Sequence, residues 1–337
     1  MTELEALQPA EAVEMYLTDK DTEYTEATLD SHRRRIKWFR RWFDTETEYD
    51  YLRELSGLDL HQFRVWRQGD LAPVTLKTQM DTVRVFLYWC RNIDAVSQDL
   101  PEKCESPRVS GDQNQRSDML PVDRVEHIID YLSRFHHASV QHVLWVLLWR
   151  TGIRVGAARA IDIEDYYPDE QYVQINHRPD EDTPLKNQYR GERPVSLRPD
   201  TCEVLDDYIR HNRHEVRDEY DRRPLFTSRQ GRRAISNLRE IMYRWSRPCR
   251  VGRDCPHGRD PDTCDANKST NVASQCPSSK ACHAMRRSSI THHLRQDVPV
   301  PVLSDRMNVS ADVLDDHYDQ RTEREKMEVR REYLDWD

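Results

Sequence analysis

The chain has 337 residues, enough for two domains of ordinary size. Charged residues make up 33% and hydrophobic ones 37%, with only 9 glycines, which excludes a low-complexity or collagen-like chain and leaves a thin core. The net charge of -9 argues against a uniformly basic nucleic-acid binder, but 51 residues are Lys or Arg and only eight of those are lysine. Arginine suits bidentate phosphate contacts, so local basic surfaces can coexist with an acidic total.

An acidic, lysine-poor composition also leads to the expectation of a halophile. Molar salt weakens phosphate binding by counterion release, so specific contacts would matter more than a general positive field. No apolar run approaches the roughly 20 residues of a membrane helix. The opening MTELEALQPAEAVEMYL is acidic and lacks the layout of a signal peptide, so a cytoplasmic protein is expected.

Residues 9–104 read as helical. Leu29, Ile36, Phe39 and Phe43 share one helix face, and Arg33, Arg34, Arg35, Lys37, Arg40 and Arg41 occupy the other. A short helix is expected near Asp59–Arg67. A longer one spans Thr75–Arg91, with Leu76, Met80, Val83, Leu87 and Cys90 inward. This gives a helical domain over 1–105. The polar stretch 106–118 carries Pro, Gly and Ser without periodicity and reads as a linker. Residues 119–337 form the second domain.

There, helices are predicted at Pro121–Phe135 and Ser139–Arg150. The second is strongly apolar and ends at Gly152, as a C′ glycine would end it. A short helix follows at Val155–Ile161. Tyr172–Asn176 and Arg193–Leu197 read as paired strands joined by PDEDTPLKNQYRGE. Further helices are predicted at Asp200–Asn212, Arg233–Trp245, His283–Leu294, Val300–Met307, Ala311–His317 and Thr322–Leu334. The fold class is mainly α with a small antiparallel sheet.

Between the helices at 233–245 and 283–294, a polar stretch holds Cys249, Cys255, Cys264, Cys276 and Cys282. Such a segment needs a staple to be ordered, and in a cytoplasmic protein thiolate metal binding is the expected one. Structural Zn²⁺ takes four S or N ligands in a tetrahedron. The first set is Cys255, His257, Cys264 and Cys276, with Cys249 and Cys282 able to replace His257. The spacing is not that of a standard finger, and reduced cysteines or a disulfide remain alternatives.

Four separated pieces carry chemistry. RTGIR places Arg154 after a helix-ending glycine, and Lys186 lies in the strand connection. HAMR puts His283 and Arg286 on one helix face, and DDHYDQR holds Tyr318. Two arginines can stabilise the extra charge on the oxygens of a phosphoryl transition state. A phenol, with a free pKa of about 10, needs a base or positive surroundings to attack. His283 is placed to help. Arg287 competes with Arg286, Arg190 and Arg193 compete with Lys186, and Tyr333 and Tyr243 are fallback nucleophiles at poorer spacing.

In order and separation these pieces resemble the tyrosine recombinase (phage integrase) family: Arg, a β-hairpin Lys, His-x-x-Arg, then a late Tyr. The Cys-rich stretch resembles insertions in some archaeal integrase-like proteins. The resemblance covers nearly the whole chain. It implies a helical core-binding domain and a catalytic domain that hold a duplex from both sides. It also implies cleavage through a 3′-phosphotyrosyl bond at Tyr318, with Lys186 protonating the leaving oxygen and no catalytic cofactor. The expected partners are double-stranded DNA with a specific site and a homo-tetramer on two sites, linked through the C-terminal helix with its anchors Met327, Tyr333, Leu334 and Trp336. Arg33, Arg34, Lys37 and Arg41 are the candidate DNA-facing residues of the first domain. One position departs: the family's second His or Trp before the Tyr falls by spacing on Asn308, with His317 as a second candidate. A type IB topoisomerase-like enzyme and a catalytically inactive DNA-binding regulator are the rival readings.

Overall fold

A computed structural model describes residues 4–109, 118–319 and 321–332. The chain divides into two compact units, Met1–Arg116 and Ser117–Asp337.

The first unit is helical: α1 (Pro9–Asp19), α2 (Glu26–Glu46), α3 (Gly57–Gln68) and α4 (Pro73–Asn92). Thr25 caps α2 by accepting from Thr28 N, and prolines open α1 and α4, where a missing N–H costs nothing. Rings fill the centre. Phe39 meets Phe63 edge-on at 5.2 Å and Tyr16 meets Phe86 at 5.4 Å. Cys104 is fully buried in this core, and Arg84 Nε holds its carbonyl at 2.7 Å.

The second unit begins with α5 (Val122–Phe135), α6 (Val140–Thr151) and α7 (Val155–Ala160). An antiparallel sheet follows: β1 (Tyr166–Tyr167), β2 (Tyr172–Ile175) and β3 (Arg193–Ser196), in that spatial order. Val173 faces Val195 in the register, and both are buried. Helix α8 (Pro199–Asp207) runs into a π-helical turn at Tyr208–Asn212. The two-residue strands β4 (Thr227–Ser228) and β5 (Gly231–Arg232) form a hairpin before α9 (Ile235–Trp245). Then come α10 (Cys282–Arg295), α11 (Val300–Met307), α12 (Ala311–His317) and α13 (Glu323–Glu332). The protein is thus mainly α with a small antiparallel sheet, as its sequence patterning predicts. β1 and the β4–β5 hairpin are additions, too short to leave a periodic signal. None of the described helices is long and apolar enough to cross a membrane.

Two helices are buried on nearly all sides, for different reasons. On α6, Val143, Leu144, Trp145, Leu147 and Leu148 exclude water by being apolar. On α10, Arg286, Ser288, Ser289 and Thr291 are buried and polar, and each needs a partner. Ser289 Oγ donates to Trp149 O at 2.7 Å and Thr291 Oγ1 to Tyr318 O at 2.8 Å, while Ser288 Oγ accepts from Leu120 N at 2.8 Å. These bonds fix α10 against α6 and against the segment that carries Tyr318.

Candidate active site

The residues separated in sequence meet at the N-terminal end of α10. His283 is its second residue, and Arg286 stands one turn later. Arg286 is 1% exposed and bridges two carbonyls: Nη1 donates to Gly152 O at 2.6 Å and Nη2 to Met307 O at 2.8 Å. Gly152 ends α6 in the left-handed region at φ 62°, where a side chain would be strained. A Cβ there would also lie 2.7 Å from Met307 Cε, so that the methionine tip would have to shift.

Arg154 precedes α7, and its Nη1 donates to Asn308 O at 2.9 Å. Arg193 opens β3, donating from Nε to Arg306 O at 2.7 Å and from Nη1 to Gly191 O at 2.8 Å. Burial pushes Arg193 and Arg286 down to about 10, followed by the charges of Arg286 and Arg154 on the first and of Arg154 on the second. Both stay cationic at neutral pH. Burial lowers Arg154 as well.

Tyr318 follows α12, is 5% exposed, and packs with Ile290, Leu294, Leu303, Met307, Val309 and Leu314. Its hydroxyl lies 3.2 Å from His283 Nε2, and the Arg286 guanidinium lies over its ring, 5.4 Å from the centroid. Next along the chain, Asp319 pairs with Arg321 at 2.8 Å, and Arg321 Nη1 donates to Leu294 O at 3.2 Å, which ties the segment back to α10. Burial, then the charges of Arg287, Arg286, Arg154 and Lys186, push the His283 imidazole down to about 4, although the residue retains exposed surface. A neutral imidazole beside a phenol hydroxyl can accept its proton, and the surrounding cations would stabilise the phenolate.

Lys186 is exposed, in the β2–β3 connection, near enough to act on His283. Arg287 is buried beside Arg286, whereas Tyr243 lies on α9. The His317 side chain and Tyr333, Leu334 and Trp336 lie outside the described residues. Asn308 does join the cluster, but its amide is engaged: Nδ2 donates to Arg190 O at 2.7 Å and Oδ1 accepts from Asn187 Nδ2. Arg193, set out from sequence only as a rival to Lys186, stands instead with the other arginines. Helix α13 is tied to its own chain: Arg295 Nε to Glu325 at 2.8 Å and Lys326 to Asp315 at 3.3 Å.

On α2, Arg33, Arg34, Lys37, Trp38 and Arg41 are exposed together. Trp38 is flanked by Arg41 at 5.4 Å and Arg67 at 4.3 Å.

The expected metal ligands Cys255, His257, Cys264 and Cys276 do not assemble. Among the described residues no group of three or more His, Cys, Asp or Glu could hold a metal ion. His257 Nε2 is instead 2.8 Å from Ser278 Oγ. Arginines bond main-chain carbonyls in and beside this stretch. Buried Arg247 bonds Ala266 O, and Arg124 bonds Ser246 O and, at 2.7 Å, Ser278 O.

No family model and no curated protein matches the chain. Solved structures do. The Tn1549 transposon integrase in complex with transposon right end DNA has a TM-score of 0.69 at 11% identity, covering 97% of this chain and 100% of that one. A lambda integrase tetramer bound to a Holliday junction scores 0.62 at 11% identity, covering 94% of this chain and 79% of that one. The N-terminal domain of a phage integrase/site-specific recombinase from Haloarcula marismortui is 36% identical over 31% of this chain and 99% of that one, at a TM-score of 0.30. The likeness to the first two is one of fold: the second unit has the architecture of lambda-type integrase catalytic domains.

Proposed function

We propose that this chain is a tyrosine site-specific recombinase, cleaving and rejoining DNA through a 3′-phosphotyrosyl bond at Tyr318. The observation that carries this reading is the Tyr318 hydroxyl held 3.2 Å from His283 Nε2 beneath the Arg286 guanidinium. In this reading Tyr318 attacks the scissile phosphorus as His283 takes its proton. Arg154 and Arg286 stabilise the charge on the non-bridging oxygens. The bond to the 5′-oxygen breaks, and that oxygen takes a proton from Lys186. Attack by another 5′-hydroxyl reverses the steps and frees Tyr318, so the phosphodiester energy is conserved.

The partner is double-stranded DNA with a defined site, approached in part through the basic face of α2. Assembly of four copies on two sites is supported by the tetrameric lambda integrase neighbour. The net charge of -9 supports work at high salt.

Covalent trapping tests the reading. A nicked suicide duplex carrying the gene's own flanking DNA is incubated with the protein at low and at molar KCl, beside Tyr318→Phe. A denaturant-resistant adduct that the variant cannot form is expected. Specific binding without any adduct would sink the enzyme reading, and an adduct in Tyr318→Phe would sink the nucleophile. Adduct formation confined to low salt would dispose of the halophilic part. Supercoil relaxation without strand exchange would favour a topoisomerase-like activity.

A further inference from the structure

Helix α11 ends where Asn308 turns into the left-handed region, at φ 49° and ψ 66°. The last carbonyls of a helix lack intrahelical partners and carry the negative end of its dipole. Here three successive ones are each taken by a different arginine. Arg306 O accepts from Arg193 at 2.7 Å, Met307 O from Arg286 at 2.8 Å, and Asn308 O from Arg154 at 2.9 Å. The Asn308 side chain faces a second element, the β2–β3 connection. It donates to Arg190 O at 2.7 Å and accepts from Asn187 Nδ2. Asn187 is the residue after Lys186.

We propose that Asn308 is a positioning residue for Lys186: its carbonyl seats Arg154 while its amide pins the lysine-bearing connection to the same helix end. The inference rests on the recombinase reading. It assigns Asn308 a part in leaving-group protonation and not in phosphate binding. Asparagine fits because it tolerates the left-handed backbone and has both a donor and an acceptor on a short arm.

The test uses two suicide duplexes that differ at one atom. In the second, sulfur replaces the bridging 5′-oxygen of the scissile phosphate. A thiolate leaves without a proton, so this substrate does not need the general acid. Asn308→Gly keeps the backbone and its carbonyl but deletes both side-chain bonds. Loosening Lys186 should slow cleavage of the oxygen substrate about 10- to 100-fold, on the scale of an ångström-sized misplacement. The sulfur substrate should be cleaved at nearly the rate of the unsubstituted chain, and Lys186→Ala should show the same selective rescue. Asn308→Asp, which keeps only the acceptor, should fall between. Equal slowing of Asn308→Gly on both substrates, or no slowing on either, would overturn the assignment. Absence of adduct from the unsubstituted chain would overturn the recombinase reading and, with it, this one.

Discussion

The same residue type does opposite work in two regions. On α2, Arg33, Arg34 and Arg41 are exposed, and their partners are local: Arg33 pairs with Asp30 at 2.5 Å and Arg41 lies against Trp38. Around α10 and α11, Arg154, Arg193 and Arg286 are partly or wholly buried, and each is held by main-chain carbonyls. A carbonyl satisfies a guanidinium's hydrogen bonds without neutralising it. The inner cluster therefore keeps its full positive charge, repulsion included, whereas the outer face is a solvated set that salt can screen. The inner arrangement suits one phosphate at a fixed point. The outer suits a backbone bound anywhere along its length.

The sharpest way to break this contrast is Arg286→Lys. An ammonium keeps the charge but cannot span Gly152 O and Met307 O as a planar fork does. Adduct formation measured by denaturing gel should fall about 10²- to 10³-fold, the usual cost of losing one transition-state donor. A variant as fast as the parent would mean that charge alone suffices. On the outer face, replacing Arg33, Arg34, Lys37 and Arg41 together by Gln should weaken duplex binding. The slope of log K against log salt should become shallower by about 0.9 for each phosphate that the variant no longer neutralises. The rate from the bound complex should hold. A slope that stays put would remove α2 from the DNA interface.

The smallest effect is one of pH. With the imidazole pushed down to about 4, the acid limb of cleavage should centre there and not at the ordinary 6.5. NMR titration of His283 reads the same value. The sign follows from the unfolded chain taking up the proton first: stability is present above 6.5 and is lost as pH falls toward 4. An inflection near 6.5 would show that neither burial nor the cations act on the ring.

Much of this was legible in the sequence because it is periodic or local. The inward faces of α2 and α4, the apolar run of α6 and the spacing of His283 and Arg286 need no tertiary knowledge. Tyr318, Arg154 and Lys186 could be set beside them because their order resembles a known family. What stayed hidden depends on main-chain acceptors, which every residue carries and no pattern marks. That Arg193 belongs with Arg154, and that Asn308 faces the β2–β3 connection, follow only from where α11 ends. The Cys-rich stretch holds contacts of the same kind, Arg124 and Arg247 bonding carbonyls, which cysteine spacing does not mark.

The end of α11 bears on how this chain can change over generations. Side-chain acceptors vanish with a single codon change; peptide carbonyls do not. Substitutions at Arg306 or Met307 leave in place the oxygens that hold Arg193 and Arg286. Inheritance of the charge geometry is thus shielded from drift at two of its three seats. Drift should be restricted at position 308, where the left-handed turn narrows the choice to asparagine, glycine or aspartate.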